Sequence, residues 1–93
     1  MRLSIKDKIS VSACCYSVKD MDLIFPTTAR NRGDLYASIS NVLRSFVDSR
    51  RTHKPTYIVH PLYFHIKVRV EKPSGEVYYL KPFYIDLNVS NLR

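Results

Sequence analysis

The chain has 93 residues, with 15 Lys and Arg against 8 Asp and Glu for a formal charge of +7, and it is 45% hydrophobic and 25% charged. These proportions exclude a disordered chain, and two glycines with five prolines exclude collagen-like and low-complexity readings. The length fits one domain, 1–93, burying roughly 60–65% of the surface its unfolded form exposes.

From the N-terminus, apolar and polar residues alternate. Leu3, Ile5, Ile9, Val11, Ala13 and Cys15 oppose Arg2, Ser4, Lys6, Lys8, Ser10, Ser12 and Cys14. Period two predicts a strand with one face on a core and one in water. Asp7 breaks the pattern and marks a bulge or a corner. Cys14 and Cys15 point to opposite faces of such a strand, one half-buried and one near the surface. Two adjacent cysteines make neither a disulfide framework nor a four-ligand zinc site. Lys19 to Gly33 has no clean period. It reads as a connection with room for a short strand at Leu23-Ile24-Phe25, where Pro26 biases Phe25 to extended backbone.

Helical spacing follows. Leu35, Ile39, Val42, Leu43, Phe46 and Val47 form one stripe and predict a helix over 34–51. Asp34 suits the N-cap or first turn, while Arg50, Arg51, His53 and Lys54 crowd the C-terminal end before Pro55. Beyond it, Tyr57 and Val59 alternate up to Pro61. Phe64, Ile66, Val68 and Val70 alternate with His65, Lys67, Arg69 and Glu71. Lys72-Pro73-Ser74-Gly75 is a turn by composition, Val77 to Leu80 a returning strand, and Phe83 to Val89 resumes period two after Pro82. Pro61 and Pro82 belong at edges or strand ends. The expectation is an α+β domain in the order β-α-β-β-β. Its mainly antiparallel sheet of four to five strands carries one amphipathic helix on one face. The first strand, free of proline, is expected at an open edge and so to favour a homodimer.

No run approaches the about 20 apolar residues a membrane span requires, and Lys6-Asp7-Lys8 interrupts any secretory leader. A cytoplasmic or otherwise intracellular chain in a reducing compartment is expected, without a membrane partner. Asn88-Val89-Ser90 fits the glycosylation sequon by chance.

Charge is the functional lead. Arg30, Arg32, Arg44, Arg50, Arg51 and Lys54 outnumber Asp34 and Asp48 between residues 28 and 55. Arg50, Arg51 and Lys54 are candidates for phosphate contact, against the plainer reading of dipole stabilisation and solubility. A second candidate set is His65, Lys67 and Arg69, joined by Tyr78 and Lys81. Basic residues interleaved with exposed rings suit single-stranded nucleic acid, although a strand tyrosine is commonly a packing residue with a wet hydroxyl. His53, His60 and His65 lack metal-ligand spacing. His60 or His65 with Arg69 and a tyrosine would serve a metal-independent ribonuclease, although lone strand histidines are usually structural. No P-loop, Ser/His/Asp set or carboxylate pair is present, and no metal or cofactor is expected.

The helix with Leu43 and Phe46, then Pro55-Thr56-Tyr57, the alternating run from Phe64 to Val70 and a glycine turn resemble the first half of a double-stranded RNA-binding domain, over roughly 35–80. That family closes with a second helix carrying a phosphate-gripping lysine cluster; this chain reads on as strand, so that role has no residues to fall on. The leading expectation is a small basic non-catalytic module that binds the phosphate backbone of RNA or DNA. The alternative is a small viral or mobile-element accessory protein that binds and inhibits a host protein complex by engaging an acidic or nucleic-acid-binding surface of that complex, and the third is the ribonuclease.

Overall fold

A computed structural model describes residues 2–16, 22–53 and 62–87, with helix side chains described as far as Ser49. The elements in chain order are β1 (Lys8–Cys15), β2 (Leu23–Thr27), α1 (Arg32–His53), β3 (Leu62–Glu71), β4 (Val77–Tyr79) and β5 (Phe83–Leu87). The sheet runs β2-β1-β3-β4 and every pairing is antiparallel; β5 pairs with the same edge of β3 as β4, nearer its start. This is the expected α+β architecture, one helix on an antiparallel sheet. The order gains a strand: Leu23-Ile24-Phe25 does form β2, so the chain reads β-β-α-β-β-β.

The alternation predicted in the sequence sorts the sheet faces. Ile9, Val11 and Ala13 of β1 and Leu62, Phe64, Ile66, Val68 and Val70 of β3 are all buried. They share one core with Leu35, Ile39, Leu43 and Val47 of α1. Burying each large side chain contributes about 1.5–3 kcal/mol. Phe46 lies at the margin of that stripe, only partly buried against the core.

Hydrogen bonds extend the expected helix by two residues at each end, and its cap is not Asp34. Asn31 Oδ1 accepts the Asp34 backbone N–H at 2.8 Å, and the Asn31 carbonyl accepts the Leu35 N–H at 3.0 Å. Asn31 is therefore the N-cap and Asp34 the third helical residue. The Asp34 carboxylate turns back to accept from Arg30 Nε at 3.1 Å, which holds its pKa below the ordinary carboxylate range. Asn31→Ala should cost about 1 kcal/mol, read from urea unfolding. An unchanged midpoint would show the cap to be idle.

Two turns have readable causes. The Lys72 carbonyl accepts the Gly75 N–H at 2.9 Å, and Gly75 sits at φ 93°, a left-handed position that a side chain would strain. Between β4 and β5, Leu80 N–H donates to the Val68 carbonyl at 3.1 Å while Phe83 faces Ile66. Lys81 and Pro82 together thus oppose the single residue Lys67, a bulge on the edge of the sheet where a proline without an N–H is tolerated.

Two expectations about β1 are corrected. The strand begins at Lys8 rather than Leu3, because Ser4 to Asp7 form a turn: Asp7 N–H donates to the Ser4 carbonyl at 3.0 Å, and Ser4 N–H donates to Asp7 Oδ2 at 2.9 Å. Asp7 is a corner, and a buried one. Nor is β1 an edge. It is hydrogen-bonded to β2 on one side and β3 on the other, so the edge on which homodimerisation was expected is already occupied. Among the described residues, the edges are β2, which contains Pro26, and the broken β4–β5 line. Tyr57, Val59, Pro61 and Val89 lie outside the described residues.

Candidate nucleic-acid interface

With α1 covering the inner face of the sheet, the outer face is built from the other half of each alternation. Residues opposite each other in register share a face, so Ser10, Ser12 and Cys14 of β1 stand beside Arg69, Lys67 and His65 of β3. On the far side of β3, His65 faces Tyr84, Tyr63 faces Asp86 and Arg69 faces Tyr79. On the near side, Ser10 and Ser12 face Pro26 and Ile24.

The ring of His65 forms a triangle with two tyrosines. Its centroid is 5.9 Å from Tyr16 with planes 25° apart, and 4.9 Å from Tyr84 at 32°. Tyr16 and Tyr84 are themselves 6.1 Å apart. A hydrogen bond to Tyr84, then the charge of that neighbour, raises the Tyr16 hydroxyl above its ordinary pKa. Tyr16 reaches this place because β1 pairing continues one residue past the strand, its N–H donating to the Tyr63 carbonyl at 3.0 Å. Tyr16 and Tyr84 are 67% and 64% exposed, so the cluster is not a core.

Two cations continue the row along β3. Lys67 is exposed and holds no ion pair among the described residues. Arg69 Nη2 lies 3.3 Å from Glu71 Oε1, a surface pair that leaves much of the guanidinium open to solvent. Cys14, opposite His65, is exposed, and Cys15 beneath it is half-buried on the core side; both are free thiols.

The structure brings together three of the candidate residues, His65, Lys67 and Arg69. Lys81 sits in the bulge opposite Lys67 and is exposed. Tyr78 does not share their face: it pairs with Val70, a core-side residue, and donates from its hydroxyl to Glu76 Oε2 at 2.7 Å, which raises its pKa. Arg50 and Arg51 belong by backbone to the end of α1, on the other side of the sheet, with side chains outside the described residues, as is Lys54 altogether. The rings that do join the patch, Tyr16, Tyr79 and Tyr84, were missed. Tyr16 and Tyr84 continue the polar half of their alternations, but only strand register sets them beside His65. His53 is described by backbone alone and His60 lies outside the described residues, so His65 is the histidine whose surroundings are defined.

Among the described residues, no group of three His, Cys, Asp or Glu side chains could hold a metal ion, and no helix is long and apolar enough to cross a membrane. After β4 the chain continues into β5 where the double-stranded RNA-binding family has its second helix. No family model matches the chain, and no curated protein or solved structure matches it significantly.

Proposed function

We propose that this protein is a small non-catalytic binding module that holds nucleic acid on the outer face of its sheet. The observation that carries the reading is the solvent-facing row in which the Tyr16–His65–Tyr84 rings lead directly into Lys67 and Arg69. Rings offer π-faces on which bases stack, and cations one pleat away follow the phosphates. Cross-strand packing accounts for two touching rings. It does not account for two tyrosines left open to water around a half-buried histidine, beside a lysine that holds no ion pair among the described residues. Arg50 and Arg51, at the far end of α1, act in this reading as helix-end charges or as a second, separate anion contact.

A salt titration of fluorescence anisotropy with labelled oligonucleotides tests it. The logarithm of affinity should fall linearly with that of salt, and Lys67→Ala and Arg69→Ala should each flatten the slope by about one. Tyr84→Ala should weaken binding about 5- to 150-fold with the slope unchanged, because stacking releases no counterions. Absence of binding by any oligonucleotide near 0.15 M salt, the order of physiological ionic strength, would sink the reading.

One observation favours a second reading. Ile24 is 75% exposed on the same face, beside the β2 edge, and an isoleucine suits a protein partner better than a base. Stoichiometric capture of one host protein that survives nuclease treatment would support this docking function. RNA cleavage that persists in chelator, and is lost in His65→Ala, would instead support a ribonuclease.

A further inference from the structure

The ring cluster occupies one end of the outer face, and a groove occupies the other. Its volume is about 420 Å³, and its walls include Ile5, Lys8, Ser10, Pro26, Thr28 and Arg69. Ser10 stands between Pro26 and Arg69 in register, four residues along β1 from Cys14, which faces His65. Four residues of strand span roughly 13 Å. The groove and the rings are thus two ends of one track, with Lys67 between them and Arg69 at the groove's wall.

We infer that this groove receives a single base of the bound polymer, and that the ligand is therefore a single strand crossing the sheet from the rings to the groove. The inference rests on the outer-face reading above and names its ligand class. Ile5 is 64% exposed, and with the Pro26 ring it provides apolar walls for a flat ligand. Ser10 and Thr28 supply hydroxyls for the edge of a base. Lys6 and Lys8, which also line the groove and hold no ion pair among the described residues, supply charge for its phosphate. Apolar walls with a few polar groups and a volume of a few hundred Å³ describe a small-molecule site. The turn that carries Ile5 is pinned to the body of the protein: Asp7 accepts from Lys72 Nζ at 2.9 Å, and Lys72 also donates to the Arg2 carbonyl. Duplex bases are stacked inside the helix and can reach neither the rings nor the groove. A single strand over this track spans about four nucleotides, at the low end of the site sizes of sheet-based single-strand binders.

The test compares an oligothymidylate long enough to span the face with a hairpin duplex, using wild type, Ile5→Ala, Ser10→Leu and Tyr84→Ala. Ile5→Ala removes a wall and Ser10→Leu fills the floor, both without changing charge; circular dichroism and thermal melting verify that each variant is folded. The single strand should bind more tightly than the duplex. Either groove variant should weaken the single strand about five- to tenfold while the duplex affinity, carried by phosphate contacts, stays put. Unchanged single-strand affinity in both groove variants, with Tyr84→Ala still weakening it, would overturn the groove but not the outer-face reading. Duplex binding as tight as single-strand binding would overturn the ligand class. If wild type binds neither, the reading beneath has failed and the groove falls with it.

Discussion

Phe64→Ala is expected to lower the unfolding free energy by about 3–5 kcal/mol, a large share of the about 5–15 kcal/mol available to a domain of this kind. Phe64 is fully buried at the start of β3, the strand that pairs with β1 on one side and with β4 and β5 on the other. Truncating it opens a cavity that strands paired on both edges cannot collapse to fill. Phe46→Ala, on the margin of the α1 stripe, should cost about 1–3 kcal/mol, since part of that ring already meets water. Urea unfolding of the two variants checks the order. Equal losses would mean that α1 is rolled further toward Phe46 than the burial of Leu43 and Val47 indicates.

The second large effect is expected from Lys72. Its ammonium lies 2.9 Å from Asp7 Oδ2, whose side chain is 1% exposed, and the other carboxylate oxygen, Oδ1, is buried without a hydrogen-bond partner among the described residues. Lys72→Met would strand a buried carboxylate half-satisfied, and the melting temperature should fall by roughly 10 °C or more. Asp7→Asn with Lys72→Met together should lose less than the sum of the single changes, because the pair is removed as a unit. The same contact sets an acid limb. The hydrogen bond from Lys72, opposed by desolvation and aided by the Ser4 N–H, holds the Asp7 pKa below its ordinary value near 4. A carboxyl whose folded pKa is depressed contributes stability that is present above the unfolded value. That contribution is lost as pH falls through the folded one. Stability should therefore be flat from neutral pH down to about 4 and then fall. The Asp7→Asn variant should show a shallower acid limb, retaining the smaller part owed to Asp34. A wild type and an Asp7→Asn variant with parallel acid limbs would remove Asp7 from this role.

Much of this fold was legible because its signals are local. The i, i+4, i+7 spacing of Leu35, Ile39, Val42, Leu43, Phe46 and Val47 can satisfy only one face of a helix. The period-two runs of β1 and β3 divide residues between two faces whatever the strands pair with. The turn at Pro73 to Gly75 and the break at Pro82 follow from backbone chemistry that a glycine or proline carries by itself. From these alone the α+β class, the helix and its buried stripe, and the placing of Lys67 and Arg69 on a wet face were determined.

Tertiary structure decided which strands are neighbours. Nothing in the residues from Lys8 to Cys15 says that β2 and β3 flank them, because a strand in the middle of a sheet and one at its edge carry the same alternation on each face. That choice removed the dimer edge. It also set Tyr16, His65 and Tyr84 side by side from three strands, and sent Tyr78 to the face away from Lys67. Asp7 followed the same rule. Its sequence shows only a polar residue out of phase, and its role as a buried anchor depends on a lysine 65 residues away in the chain. A pairing over that separation has no local signature, since it is made by folding the whole sheet.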